Sequence, residues 1–280
     1  TWKADDNEPT IFGGPARAIY KFEDNANDVT GTYNGTASNV TYSSSGKFNK
    51  AADFSASGAN IAIGSPIPNT DTEVSVSAWI YLNSGATSYE TVIGAGSASS
   101  GSEAPFRVNV RYVSANTYKI EGLRQISGTY HNTALSNYTD SSIAVQTWHH
   151  IVWTYSPNGK TLTTYLNGSK VDELELGSSG SSVDASTSVI GNFRTNHSSD
   201  NFNGLIDQVR IYRGVISDVG VSELYAESAS QNDNLEIGGP PEILVSANAN
   251  AGMSIVKYDG SGVNAKVPHG LSAAPEMVIT

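Results

Sequence analysis

The sequence contains no cysteine, and this absence removes several kinds of site at once. Without thiols the chain has no disulfide framework, no thiolate metal site and no cysteine nucleophile, and cysteine usage gives no information on the redox compartment. We therefore expect its stability to come from packing, with a bound ion as the other available source.

Long apolar runs are also missing, since no stretch approaches the roughly 20 residues of a membrane-spanning helix. The N-terminal TWKADDNEPT has no charged start followed by an apolar segment, so it lacks the pattern of an export signal. We expect no membrane insertion.

Charge is scarce and unbalanced. Charged residues make up 15% of the chain, and 27 acidic against 16 basic residues give a formal net charge of -11. This balance repels nucleic acid and anionic membranes and attracts cations. We expect no nucleic-acid partner, and metal ions fit the charge better than phosphates do.

The residues that are abundant suit strands and turns. The 280 residues include 27 Gly and 14 Tyr, with much Ser, Thr and Asn, a composition typical of short strands joined by tight turns. The length allows one large β domain or two smaller ones. We predict an all-β protein.

Alternating apolar residues predict many strands. Residues 147–176 predict a three-stranded antiparallel meander, because Asn158-Gly159 and Asn167-Gly168 favour type I′ hairpin turns. Residues 72–82 place five apolar side chains on one face. Further strands are predicted at 18–22, 51–55, 60–63, 91–95, 106–113, 117–123 and 187–192. So many strands with turns between them indicate a sandwich.

The segment FNGLIDQVRIY, residues 202–212, adds a strand with a carboxylate in its apolar row. Strict alternation puts Leu205, Asp207, Val209 and Ile211 on one face. An isolated buried carboxylate is costly, so Asp207 requires a hydrogen-bond donor, an opposite charge or a metal ion.

The chain divides after its single predicted helix. Residues 217–227 fit a helix with Ser217 as its N-cap. The polar and then Gly/Pro-rich residues 228–242 read as a linker. We predict an N-terminal extension at 1–16, a sandwich domain at 17–227, and the start of a second β domain, cut off, at 243–280.

Four segments together resemble the laminin-G-like, concanavalin-A-like jelly-roll family: YKFEDNANDVTGTYNGT (20–36), SVSAWIYL (75–82), WHHIVWTYSPNGKTLTTYLNG (148–168) and FNGLIDQVRIYRGVISDVGVSELY (202–225). The resemblance implies two stacked antiparallel sheets. Such domains mostly bind carbohydrate or protein ligands, and often hold a structural calcium ion.

The resemblance implies a calcium site that joins Asp28 to Asp207. Many family members have Ser where this chain has Thr30, and Gly31 and Asn34 are the expected carbonyl donors. The alternative is that Asp207 accepts backbone hydrogen bonds or pairs with an arginine, without an ion. Such an ion would pin the N-terminal loop to the last strand.

The tail is similar to a segment found after jelly rolls in structural proteins of bacteriophages, especially marine ones, through YDGSG, HGL and the following Pro275. This implies a virion component such as a tail fibre or capsid fibre, at the virion surface or otherwise extracellular, with other virion proteins as partners. A homo-oligomer such as a trimer fits that setting.

Catalysis has weak support in the sequence. Glu173 and Glu175 share one strand face, as a glycoside hydrolase would need, but carboxylates on a strand are usually its solvated side, and the glucanase Glu-x-Asp-x-Glu pattern is absent. The adjacent His149 and His150 point to opposite sides of a strand and do not suit one shared metal ion.

For a ligand site, residues 96–142 stand out because Tyr, Arg and His alternate with Ser, Asn and Gly. We predict that loop residues bind a sugar, and that Tyr112 and Tyr118 are strand packing. The predicted ligand-binding residues are Arg124, Tyr130, His131 and Tyr138. The function expected is non-catalytic recognition of a host-surface glycan, with a structural or protein-interaction role second and a glycoside hydrolase third.

Overall fold

The structure, a computed structural model, describes residues 16–67, 72–85, 89–95, 106–114, 117–126, 129–133, 142–177, 187–193, 201–227, 244–248 and 253–257. Within these residues no helix combines the length and the apolar character that crossing a membrane requires.

More than half of the described residues are in strands, and one short helix is present among them. The strands are β1 Ala16–Tyr20, β2 Thr36–Ser38, β3 Thr41–Ser43, β4 Ala51–Asp53, β5 Asn60–Ala62, β6 Val74–Leu82, β7 Tyr89–Ala95, β8 Phe106–Ser114, β9 Thr117–Ile126, β10 Thr129–Asn132, β11 Trp148–Ser156, β12 Thr161–Leu166, β13 Ser169–Glu175, β14 Ser188–Ile190, β15 Gly204–Tyr212, β16 Leu244–Asn248 and β17 Met253–Lys257. The helix α1 spans Asp218–Ala226.

Two antiparallel sheets are stacked as a sandwich. The eight-stranded sheet has the order β13-β12-β11-β6-β15-β4-β3, with β1 also paired to β15. The seven-stranded sheet has the order β10-β9-β8-β7-β14-β5-β2, and β16 and β17 form a separate hairpin. The predicted all-β jelly-roll sandwich with one C-terminal helix is confirmed.

The core lies between the two sheets and follows from alternation along the strands. In β6, Val74, Val76, Ala78, Ile80 and Leu82 all face this core, as the sequence predicts. Packing between the sheets is tight enough to demand a glycine on β9: a Cβ on Gly122 would lie 2.1 Å from Cδ1 of Trp153.

A second apolar layer covers the outer side of the eight-stranded sheet. Ser217 caps α1, as predicted, by accepting a hydrogen bond from Gly220 N at 3.2 Å. The helix then packs Val221 and Leu224 into a cluster that also contains Ala16, Ile19, Val152, Tyr165, Tyr212 and Ile216. The helix therefore seals one outer face of the sandwich.

The meander β11–β12–β13 is confirmed, but its two turns differ. Asn167 and Gly168 both have positive φ, 50° and 82°, as a type I′ turn requires. At Asn158-Gly159 the type I′ prediction is wrong, because the positive φ of 52° falls on Lys160 instead. Strand pairing ends at Ser156 and Thr161, so four residues form this loop, and Pro157 opens its turn.

Some boundaries differ from those the sequence predicts. The short strands β2, β3 and β10 are additions to the predicted set. The predicted extension lies outside the described residues except for Ala16, which begins β1, and so do the predicted linker and most of residues 243–280. The proposed domain limits stay a prediction.

Candidate functional site

One outer surface of the sandwich carries polar side chains on four neighbouring strands. On β8, Phe106, Val108 and Val110 face the core, so Arg107 and Asn109 face outward. The same alternation holds on β9, whereas on β7 the register shifts between Thr91 and Ile93. The register still pairs Tyr89 with Arg111 and Thr91 with Asn109, so these side chains lie side by side on the outward surface. We call the outward surface of β7, β8, β9 and β10 the polar face.

A hydrogen-bonded row crosses the polar face from strand to strand. Thr91 Oγ1 donates to Asn109 Oδ1 at 3.0 Å, and Asn109 Nδ2 donates to Glu121 Oε2 at 3.3 Å. Asn132 Nδ2 donates to Glu121 Oε1 at 2.6 Å. Thr91, Asn109 and Glu121 are at most 6% exposed, so the row forms a rigid floor rather than a flexible surface.

Partly exposed cations and aromatic rings lie beside this floor. The guanidinium of Arg111 lies over the ring of Tyr89, with Cζ 5.7 Å from the ring centroid, and Tyr89 is 37% exposed. The guanidinium of Arg107 lies over Phe193 at 5.0 Å. Lys119 is the strand partner of Arg111 on β9. These pairs hold charged groups at the edge of the polar face.

Three of the four predicted ligand-binding residues, Arg124, Tyr130 and His131, are on strands and not on loops, because β9 extends to Ile126 and β10 begins at Thr129. Arg124 is only 2% exposed, and its guanidinium lies 4.7 Å from the ring centroid of Tyr155 in the other sheet, so it packs inside the sandwich. His131 is its register partner on β10. Tyr130 lies on the polar face beside Gln125.

Tyr138 lies outside the described residues. The prediction that Tyr112 and Tyr118 pack within strands agrees with their rings, which meet edge to face at 5.7 Å. A ligand role for Tyr130 and His131 stays a prediction.

The members of the row are not among the residues predicted from the sequence as ligand-binding: Thr91, Asn109, Glu121 and Asn132. A signal was available for two of them, because polar residues alternate with apolar ones in FRVNVRYV and TYKIEGL. Alternation places Asn109 and Glu121 on outward faces, but it does not say which strands are neighbours. The register of β8 and β9 supplies that information.

Asp28 organises the N-terminal loop with its own chain. Its Oδ1 accepts from Ile19 N at 2.9 Å and from Thr30 N at 3.0 Å. Its Oδ2 accepts from the Thr30 hydroxyl, from Thr32 N at 3.2 Å and from Tyr33 N at 3.0 Å. Five donors therefore occupy a carboxylate that is 3% exposed.

Asp207 lies on the outer side of the eight-stranded sheet, because a β-bulge interrupts its strand. Register with β6 shifts between Asp207 and Arg210, and Gln208 has a φ of 50°. The extra residue turns Val209 and Ile211 into the core and leaves Asp207 on the outer side, opposite Trp79. The prediction of one shared face for Leu205, Asp207, Val209 and Ile211 is wrong for this reason.

Asp207 faces the loop that contains Phe48. Its Oδ2 accepts a hydrogen bond from Phe48 N at 3.0 Å, and Phe48 packs edge to face on Trp79. Burial raises the pKa of Asp207 to about 7 against the effect of this hydrogen bond, and the charge of Glu23 raises it further. A backbone donor, one of the two alternatives to calcium, is therefore present.

Both carboxylates of the predicted calcium site already accept hydrogen bonds from their own chain. Backbone donors fill the Asp28 carboxylate, Asn34 Oδ1 accepts from Asp28 N at 3.1 Å, and Asp207 binds a different loop through Phe48. Among the described residues, no three His, Asp or Glu side chains converge on a common point. Calcium binding by Asp28, Gly31, Asn34 and Asp207 stays a prediction.

The two adjacent histidines point to opposite sides, as the sequence predicts. His149 Nε2 accepts from Ala144 N at 3.1 Å, whereas His150 Nε2 is 2.8 Å from Ser77 Oγ on the outer side. Burial lowers the pKa of both, and for His150 the charges of Arg210 and Lys47 add to the effect and bring it to about 3. His150 is therefore a neutral packing residue.

The fold and the polar face define a jelly-roll domain with a preformed outer surface. Residues 55–222 match the family described as the concanavalin A-like lectin/glucanase superfamily, and the chain belongs to it. Residues 225–280 match a domain of unknown function, DUF7483. No curated protein matches the chain.

Solved structures with the same fold include domain 4 of AbnA, an extracellular GH43 arabinanase from Geobacillus stearothermophilus, in complex with arabinotriose. It has a TM-score of 0.58 and 20% identity, over 76% of this chain and 98% of that one. The binding domain of Paraclostridial Mosquitocidal Protein 1 has a TM-score of 0.56 and 16% identity, over 77% and 52%.

The ligand-binding domain of botulinum neurotoxin serotype D, in complex with N-acetylneuraminic acid, has a TM-score of 0.55 and 19% identity, over 75% of this chain and 50% of that one. The chain thus spans about half of each of these two toxin domains. At these identities the likeness is one of fold.

Proposed function

We propose that the sandwich is a non-catalytic glycan-recognition domain that binds sugars on the polar face. The observation that carries the proposal is the hydrogen-bonded row from Thr91 to Asn132, which lies on the side of the sheet directed away from the core. A row of this kind holds its neighbours in fixed positions, which lowers the entropy lost on binding.

The residue types suit sugars. The partly exposed guanidinium of Arg111 can donate hydrogen bonds to hydroxyls, while an exposed ring such as that of Tyr89 offers an apolar face to the C–H side of a pyranose. Two structures of the same fold hold sugars, arabinotriose in one and N-acetylneuraminic acid in the other, which supports a glycan as the ligand class.

The carboxylates support binding rather than hydrolysis. Glycoside hydrolysis commonly uses two carboxyl groups on either side of the scissile bond. Among the described residues of β7 to β10, Glu121 is the one acidic side chain on the polar face, since Glu90 pairs in register with the core residue Val110. Glu173, on the edge strand β13, is exposed and forms an ion pair with Lys170 at 3.1 Å.

We extend the proposal to a setting at a virion surface or in another extracellular location. The resemblance of the tail to phage structural proteins supports it, and repeated copies on an oligomeric fibre would gain avidity from weak sites. Packing against other virion proteins is the competing role.

The test is a pull-down of the folded protein on a panel of surface polysaccharides, in calcium and in EDTA, with the supernatant assayed for released sugar. Retention without sugar release supports the proposal. Tyr89→Ala should weaken binding about tenfold. Tyr225→Ala removes a tyrosine of similar exposure from α1 and should leave binding unchanged.

Absence of retention on every polysaccharide, with the protein shown to be folded, would overturn glycan recognition. Release of sugar would instead assign catalysis. Equal binding by wild type and by Tyr89→Ala would place the sugar on another surface.

A further inference from the structure

We propose that the sandwich has a second glycan site, for a neutral sugar, on the outer side of the eight-stranded sheet. The site consists of Tyr81, Trp148, Asn83, Asn203 and Asp53, which we call the outer patch. It lies on the other sheet from the polar face and shares no residue with it.

Two aromatic rings lie side by side in the outer patch. Tyr81 on β6 and Trp148 on β11 are register partners, and Ile80 and Leu82 face the core, so both rings point outward. The ring centroids are 5.6 Å apart, and both residues are partly exposed. Such rings offer apolar surface to the C–H side of a sugar.

The chain covers the next aromatic ring on the same side of the sheet far more completely. Trp79 also points outward from β6, but Phe48 packs edge to face on its ring and Tyr225 stacks on it. Trp79 is 3% exposed as a result. Packing therefore accounts for Trp79, whereas Tyr81 and Trp148 keep ring surface in contact with solvent.

Amide side chains stand beside the two rings. Asn83 lies two residues after Tyr81, on the same side of the sheet and about 7 Å along it. Strand pairing continues there, since Asn83 N donates to Asn203 O at 2.9 Å. Asn83 Nδ2 donates to Asn203 Oδ1 at 3.2 Å and to Ser55 Oγ at 2.9 Å. The amides are thus held in place in advance, which lowers the entropy lost on binding.

This amide pair keeps one acceptor and one donor for a ligand. Within the described part of the chain, Asn83 Oδ1 accepts no hydrogen bond and Asn203 Nδ2 donates none. Both residues are partly exposed. A hydroxyl group donates and accepts, so neighbouring hydroxyls of one sugar can bind to both groups.

Asp53 favours a neutral sugar over an acidic one. Tyr81 pairs in register with Leu205, and Leu205 with Asp53, so the carboxylate lies two strands, about 10 Å, from the tyrosine. Asp53 is partly exposed, and its Oδ1 accepts from Ser55 N at 2.9 Å. A carboxylate here can accept hydrogen bonds from further hydroxyls, and it repels an anionic sugar.

The experiment measures binding of the full chain to three neutral polysaccharides, arabinan, galactomannan and laminarin, and to acidic polygalacturonate. All variants are made in a Tyr89→Ala background, which removes the proposed ring contact on the polar face. We expect this parent to keep binding to a neutral polymer. Adding Trp148→Thr or Tyr81→Thr should weaken that binding about tenfold. Threonine suits a strand, and circular dichroism checks the fold of each variant.

Tyr225→Ala is the matched control, because it removes a tyrosine that is 43% exposed on α1, outside the outer patch. It should leave binding by the same parent unchanged. A second measurement needs no substitution in the patch: a bound neutral polymer should protect tryptophan fluorescence of the parent from quenching by acrylamide. Trp148 is partly exposed, whereas Trp79 and Trp153 are buried. Binding without protection would overturn the inference.

The other outcomes separate this inference from the proposed function. Equal neutral-polymer binding by the parent and by both threonine variants would overturn the outer patch and keep glycan recognition on the polar face. Binding of polygalacturonate alone would overturn the neutral site but not the proposed function. A dimer that the threonine variants convert to a monomer would assign the patch to self-association and overturn the inference. Binding by wild type to none of the four polymers would count against both proposals.

Discussion

Replacement of Asp28 by Asn tests whether the N-terminal loop is held by the chain's own donors. Each carboxylate oxygen accepts at least two hydrogen bonds, and the side chain is 3% exposed. In Asp28→Asn the amide oxygen can replace Oδ1 and keep the donors Ile19 N and Thr30 N. The new NH2 group then faces the N–H groups of Thr32 and Tyr33, which lose their acceptor.

The cost follows from the surroundings of these two donors. Thr32 is exposed, so water can hydrogen-bond to its N–H group, whereas Tyr33 is partly buried. An unsatisfied buried donor costs about 1–3 kcal/mol, and hydrogen bonds to a charged group are the stronger ones. We expect Asp28→Asn to lower the free energy of unfolding by about 2–3 kcal/mol. For a domain of about 200 residues this lowers Tm by about 4–12 °C.

The assay is thermal unfolding followed by circular dichroism, in millimolar calcium and in EDTA. If hydrogen bonds alone hold the loop, EDTA leaves the wild-type Tm unchanged and Asp28→Asn lowers Tm equally in both buffers. A calcium ion at a hundredfold excess over its Kd would instead stabilise the wild type by about 2.7 kcal/mol. A wild-type Tm that falls in EDTA, together with a variant that no longer responds, would refute the hydrogen-bond account and establish the calcium site.

Three further substitutions test other parts of the structure. Asp207→Asn should stabilise the fold above pH 7. Burial raises the pKa of Asp207 in the folded protein from 3.8 to about 7. The stability that the protonated carboxyl contributes is therefore complete below pH 3.8 and is lost as the pH rises through 7. The stability lost by the wild type between pH 3.8 and 7 is about 4 kcal/mol at most. The free energy of unfolding in urea should therefore depend less on pH in Asp207→Asn than in the wild type over this range. An equal pH dependence in both proteins would contradict the raised pKa of Asp207. Glu227→Gln removes the charged partner of Arg210, whose Nη2 lies 2.7 Å from Glu227 Oε2, and both side chains are at most 6% exposed. We expect the free energy of unfolding in urea to fall by about 3–5 kcal/mol. A fall below about 1 kcal/mol would mean that water reaches the arginine. Gly122→Ala forces a methyl group against Trp153 and should cost about 1–3 kcal/mol and change tryptophan fluorescence; a variant with wild-type Tm and spectrum would show that the sheets can separate without cost.

Strand positions were predictable because alternation is a local property of the sequence. In β6 the buried side chains are those that a period of two selects, and the meander follows the same rule. The two Asn-Gly pairs show that the type of a turn is not determined by its dipeptide alone. The pair at Asn167 sits between directly paired strand ends, whereas Pro157 and a longer loop at Asn158 move the positive φ to Lys160.

The bulge at Gln208 could not be predicted from the same pattern. A positive φ at a residue other than glycine is unfavourable in isolation, so it exists because the surrounding structure maintains it. Its consequence is large, since one extra residue moves Asp207 from the core side to the outer side. The predicted pairing with Asp28 came from the family resemblance, and it stays a prediction.

The position of the candidate site follows from the way the two sheets are covered. On the eight-stranded sheet, α1 buries the outer side chains of Val152, Tyr165 and Tyr212, so the part of that face under the helix serves stability. The outward side chains of the seven-stranded sheet include Arg107, Arg111 and Lys119, which are partly exposed, over a buried polar floor. A row of hydrogen-bonded polar groups on an outward strand face stabilises the fold little more than an apolar cluster in the same place would. Its presence there is the basis of the glycan recognition that we propose, and the binding of Tyr89→Ala tests that proposal.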